Sequence, residues 1–158
     1  MIAYLERYGP IISAVIATAF IYYFKSDLID GAVRKSIGFS NLYSAVFNWS
    51  SIQTGFVFGI FGYVAGKSGG FIEAIKNTPE MALFLSYTKR AIYLGFVLTF
   101  FCIFLTVMSF DIGSGAAWKF HVFAAFCFFS LWGFLAFLRV AYVFGCILHV
   151  KDKARVPG

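Results

Sequence analysis

Asn41, Ser44, Asn48 and Ser51, then Gly55, Gly59, Gly62 and Gly66, recur at steps of three and four residues. Such steps keep to one face of a helix. Most of them lie in the uncharged stretch "SAVFNWSSIQTGFVFGIFGYVAG", Ser44 to Gly66, which is long enough to cross a bilayer. Bulky apolar residues, among them Phe47, Trp49, Phe56, Phe58, Ile60 and Val64, fill the positions between. Carboxamides and hydroxyls on such a face can line an aqueous path, because polar groups inside a membrane face a bundle interior or water. The glycines can instead admit a second helix closely, with Asn and Ser side chains hydrogen-bonding across the seam. The two uses are compatible, with the glycine half packing and the Asn/Ser half facing water. Spacing leaves both open.

A second group carries positive charge. Lys67, Lys76, Lys89 and Arg90 fall in one segment, and Lys151, Lys153 and Arg155 in the C-terminal tail. Such cations set topology and hold anionic lipid. They can also form a ligand-sensing surface for an anion such as a nucleotide or short oligonucleotide. Gly66, Lys67 and Ser68 match the end of a phosphate-binding loop, but Phe61 stands where its first glycine is needed, and the preceding run reads as a span rather than a strand. Arg139 lies inside the last apolar stretch. At a membrane interface its head snorkels to phosphate. On an oligomer axis a ring of arginines attracts anions.

No enzyme is expected. No paired carboxylates lie in a span, and no Ser, Cys or His set has nucleophile–base spacing. Cys102, Cys127 and Cys146 sit in apolar runs and read as buried thiols. His121 and His149 stand 28 residues apart on one helix and read as interfacial rather than as a metal pair. No metal or cofactor is expected.

The composition says what positions these residues. Of the 158 residues, 61% are hydrophobic, 13% are charged and 22 are Phe. Soluble domains carry about 25% charged residues. The expected fold is therefore all-α, a single integral membrane domain over residues 1–158 with four transmembrane helices. The spans fall near 10–24, 40–66, 90–110 and 120–148. The start "MIAYLERYGP" has no basic cluster before its apolar run and reads as retained rather than as a cleaved leader. "NTPE" reads as a helix start, with Thr78 as cap and Pro79 in the first turn, at the end of a cytoplasmic segment 67–89. "SFDIGSGAAWK" reads as an outward hairpin. Four spans put both termini on one side. Arg7 and the two basic groups then set eight cations against Lys25, Arg34, Lys35 and Lys119, which places both termini in the cytoplasm. Four helices enclose only a thin core, so an axial path needs a ring of copies, and a tetramer is the expected homo-oligomer.

In its polar second span "SNLYSAVFNWSSIQTGFVFGIFGYVAG", its basic segment "KSGGFIEAIKNTPE" and its final hairpin around "SFDIGSGAAWK", the chain resembles the small four-helix membrane effectors of bacterial anti-phage systems. That group includes the lambda exclusion membrane protein and the membrane subunit of Hailong systems. The resemblance implies an oligomeric ion channel of the bacterial inner membrane, closed until infection, whose opening depolarises and arrests the cell. It also implies a nucleotide-derived trigger made by a partner enzyme.

The expectation is thus a homo-oligomeric gated channel for phage defence by abortive infection. Asn41, Ser44, Asn48 and Ser51 line or gate its path, Gly55, Gly59, Gly62 and Gly66 pack helices, and the cations face an anionic signal. The net charge of +6 favours anions at the inner mouth. The alternatives are a non-conducting membrane adaptor within a larger complex, and a small dimeric transporter.

Overall fold

A computed structural model describes residues 2–35, 38–67, 70–114 and 116–149. Lys151, Lys153 and Arg155, and Ser68 of the loop comparison above, lie outside the described residues. Every regular element among those described is helical: α1 (Ile2–Tyr23), α2 (Lys25–Val33), α3 (Phe39–Gly66), α4 (Gly70–Ile75), α5 (Pro79–Val107) and α6 (Ala117–His149), with a 3-10 turn at Ile112–Ser114.

Local chemistry sets the ends of α5. The Thr78 hydroxyl accepts from the Met81 N–H at 3.3 Å, Pro79 occupies the first turn and Glu80 follows at the positive end of the helix dipole. At the other end Ser109 takes a left-handed φ of 45°, and the Phe110 N–H reaches back to the Leu105 carbonyl at 3.0 Å. The chain then turns through the expected hairpin, where Asp111 Oδ1 accepts from the Gly113 N–H at 2.9 Å. Gly113 lets α2 lie across this turn, since a Cβ there would stand 3.1 Å from the Ala32 carbonyl carbon.

The first span differs from expectation. α1 begins well before Pro10 and carries it inside the helix, so the helix is longer than the span expected near residues 10–24. At Phe24 the chain bends by 63° between Tyr8–Tyr23 and Lys25–Val33. Lys25, Ser26 and Asp27 end the apolar run there. The sequence reading places Lys25, Arg34 and Lys35 in the connection between two spans; the structure folds Lys25–Val33 as α2 and leaves Arg34 and Lys35 in the turn that follows. Leu28, Ile29 and Ala32 of α2 gather with Phe110 and Ile112 in one apolar cluster, and that burial is what makes a helix of the segment.

α3, α5 and α6 enclose the interior, and α1 packs on α6. The interior has two apolar cores. Phe39, Tyr43, Leu105, Phe120, Phe123 and Phe126 fill the one nearer the hairpin, and Val57, Ile60, Val64, Phe84, Tyr87 and Val140 fill the other. Buried between them is a waist of small and polar residues: Ser50, Gln53 and Thr54 of α3, Gly95 of α5 and Gly133 of α6.

α5 and α6 are long and apolar enough to cross a membrane, and the bent pair α1–α2 makes a third if it counts as one span. Large apolar side chains cover their outer faces: Phe100 is 67%, Val107 77% and Tyr142 74% exposed. A surface of this kind suits lipid. α3 has the length, about 42 Å at 1.5 Å per residue. Its Asn, Ser, Gln, Thr and Gly residues leave it outside the set that qualifies on apolar composition.

Candidate functional site

α3 has two polar faces, and they point in opposite directions. The inward one carries Ser50, Gln53 and Thr54, all buried. The Ser50 and Thr99 hydroxyls lie 3.0 Å apart across the α3–α5 contact. Thr54 donates to the Ser50 carbonyl at 2.6 Å, and Thr99 to the Gly95 carbonyl at 2.8 Å. Gly95 makes the close approach possible, because a Cβ built there would run into Thr54 Oγ1 and stand 3.1 Å from Thr54 Cβ. Gln53 reaches toward α6, with Nε2 3.9 Å from where a Gly133 Cβ would sit, and its Oε1 is buried without a hydrogen-bond partner among the described residues.

The outward face is the stripe singled out from the sequence. Asn41, Asn48, Ser51, Gly55, Gly59, Gly62 and Gly66 are exposed, and Ser44 is half-buried. A Cβ built at Gly55, Gly59, Gly62 or Gly66 meets no described atom of another element within 4 Å. Within one chain, then, these glycines do not seat a neighbouring helix; Gly95 and Gly133 do. On one flank of the stripe α3 meets α6 through aromatic pairs, Trp49–Phe134 at 5.3 Å and Phe56–Phe137 at 6.0 Å between ring centroids. On the other flank it meets α5. Most of the stripe faces away from both, but Ser44, Ser51 and Gly55 also border hollows walled by α5.

The cations separate into three places. Lys67, Lys76 and Lys89 gather round the C-terminal end of α3. Lys67 Nζ donates to the Tyr63 hydroxyl at 3.0 Å, Lys76 Nζ donates to the Ala65 carbonyl at 3.2 Å, and Lys89 Nζ stands 6.0 Å from the centre of the Phe61 ring. Positive charge there complements the exposed carbonyls and dipole of the helix end. Arg90 is exposed on α5. Arg139 is partly buried and makes a contact that its sequence surroundings do not name. Its guanidinium stacks on Tyr87 of α5, 3.6 Å from the ring centre, in the seam between α5 and α6.

Sequence reasoning missed the inward polar face, the waist glycines and a tie at the hairpin end. There the Tyr22 hydroxyl and His121 Nδ1 lie 2.7 Å apart, joining α1 to α6. The signal for the waist was present. Ser50, Gln53, Thr54 and Val57 form a second set at helical spacing, half a turn from the first. Among the described residues no three His, Cys, Asp or Glu side chains gather as a metal site.

The described residues form an all-helical fold with two or three helices long and apolar enough to cross a membrane, as in a membrane protein, and with a largely exposed small-and-polar face on α3. No protein-family model, curated protein or solved structure matches this chain.

Proposed function

We propose that the chain is one subunit of a homo-oligomeric, gated ion channel of a bacterial cytoplasmic membrane, serving as a phage-defence effector that depolarises the cell. The observation that carries this reading is the outward stripe. Its two carboxamides are exposed and no described helix stands within 4 Å of a Cβ at its glycines, and in hydrocarbon an unshielded polar face is costly. Other copies of the chain remove that cost by enclosing the stripes around water. α3 is then the fourth span beside the bent pair α1–α2, α5 and α6, and its polarity is the polarity of a pore helix. Both termini, with Lys67, Lys76, Lys89 and Arg90, lie on the cytoplasmic side, where the cations favour an anionic, nucleotide-type signal. The resemblance to small anti-phage effectors supports the defence role.

The test is single-channel recording of the purified protein in planar bilayers, with and without candidate nucleotides on the basic side. Discrete, ligand-dependent conductance is expected. A silent bilayer, from protein shown to be inserted and oligomeric, overturns the channel and leaves a membrane adaptor.

A further inference from the structure

A trough begins on α5 and continues along the α3–α5 seam, where its far end shares Ser51 and Gly55 with the stripe. It is made of three hollows that share walls. The one at the basic end, about 420 Å³, is lined by α5 alone, with Ser86, Lys89, Arg90 and Tyr93 among its walls. The next, about 360 Å³, shares Lys89 and Tyr93 and adds Phe58, Phe61 and Phe96. The third, about 400 Å³, shares Phe58 and Phe96 and ends at Thr54, Gly55 and Thr99. Cations stand at one end and aromatic walls line the rest. From Lys89 to Thr99 the trough rises about 15 Å along α5, roughly half the hydrocarbon thickness of a bilayer.

The far end holds hydroxyls, and each already donates a hydrogen bond within its own helix. Thr54 donates to the Ser50 carbonyl at 2.6 Å, Ser51 to the Phe47 carbonyl at 2.9 Å and Thr99 to the Gly95 carbonyl at 2.8 Å. Thr99 also meets the Ser50 hydroxyl at 3.0 Å, so these hydroxyls have partners within the protein. The missing side chain of Gly55 keeps the end open. Among the described residues no acidic side chain lines any of the three hollows, and no carboxylate pairs with Lys89 or Arg90.

The geometry points to an anionic phospholipid as the occupant, its headgroup phosphate on Lys89 and Arg90 and one acyl chain laid along Phe58 and Phe96 toward Gly55. Two adjacent cations with the Ser86 hydroxyl one turn away suit a phosphate oxyanion. An aromatic trough of single-leaflet depth suits a chain of methylenes, which a nucleotide does not have. The inference rests on α3 and α5 crossing the membrane, and not on conduction.

Native mass spectrometry of the full-length, delipidated protein tests it, with dioleoyl phosphatidylglycerol, dioleoyl phosphatidylcholine and dihexanoyl phosphatidylglycerol as probes. The long-chain anionic lipid is expected to bind in preference to the zwitterion. The K89Q/R90Q variant is expected to lose about fivefold in affinity per cation removed. F58A/F96A, at two exposed wall positions, weakens the long-chain probe and leaves the short-chain one unchanged. Equal binding of both headgroups overturns the proposal. So does competition by the short-chain probe as strong as by the long, which means a bare anion site. So does loss of all lipid binding on oligomerisation, which means that a second copy fills the trough. Lipid occupancy is read without current, so a silent bilayer with selective lipid retention sinks the channel alone.

Discussion

Gly95 of α5 lies so close to Thr54 of α3 that no side chain fits between them: even a methyl group at position 95 would overlap the threonine hydroxyl. The two helices therefore touch at the waist, midway along the bundle, with the Ser50–Thr99 hydroxyl contact beside them. Gly95→Ala is expected to destabilise the fold by about 1–3 kcal/mol, the range for overpacking a tight core. Thr54→Ala removes the obstructing oxygen, so the G95A/T54A double variant should recover part of the loss. Thermal unfolding in detergent reads both. A double variant no more stable than G95A would mean that the backbones, not the threonine oxygen, set the distance.

How much of this is legible in the sequence depends on how far each cause reaches along the chain. The start of α5 is legible, because Thr78, Pro79, Glu80 and Met81 make the cap among themselves. The stripe is legible as a stripe, because spacing alone puts Asn41 to Gly66 on one face. Which face of α3 meets α5 is not legible, since both faces carry small and polar residues and only the partner helices decide. Gly59 and Gly95 look alike in the sequence; one faces open space and the other Thr54. Arg139 is similar: its stacking partner Tyr87 lies on another helix, and nothing near it in the chain names that partner. α2 needed the hairpin turn, and Gly113 in particular, to give Leu28 and Ala32 something to cover.

The Arg139–Tyr87 stack holds α5 against α6 on the basic side of the waist. Tyr87 is buried and offers the guanidinium a ring face in place of water. Tyr87→Phe keeps the face and should unfold close to wild type. Tyr87→Leu keeps an apolar side chain but loses the face, at a cost of about 0.5–2 kcal/mol. Arg139→Gln in each background completes a double-mutant cycle. A coupling energy of zero would reduce the pair to coincidental proximity.

Pore lining and subunit packing can be separated along the stripe. Asn48→Leu places a bulky apolar group on the exposed polar half, and it should abolish conductance while the oligomer still assembles. Gly59→Leu fills the half where no described atom of another element stands within 4 Å of a Cβ. It therefore leaves the monomer fold intact, and if the glycines seat another copy it breaks assembly. Size-exclusion mass measurement and bilayer recording on both variants give the answer. Normal currents from N48L refute the pore face, and intact oligomers from G59L place the subunit contact elsewhere.

The inward face of α3 makes the opposite prediction about polarity. Gln53 is 4% exposed, its Oε1 has no described hydrogen-bond partner, and it sits at the centre of the bundle beside Gly133. A buried acceptor left unsatisfied costs about 1–3 kcal/mol. Gln53→Met keeps the length of the side chain and removes the acceptor, so the variant should be at least as stable as wild type, with a raised midpoint in thermal unfolding. A drop of more than about 1 kcal/mol would mean that the amide is satisfied in the membrane-embedded protein. The contrast with Asn48 is the useful part. An amide on the outward face is there for what lies outside the chain, so replacing it should affect current and not stability. An amide at the waist is an internal strain on packing, so replacing it should affect stability first. If Q53M also stops ligand-dependent opening while the oligomer persists, the waist takes part in the movement that opens the path.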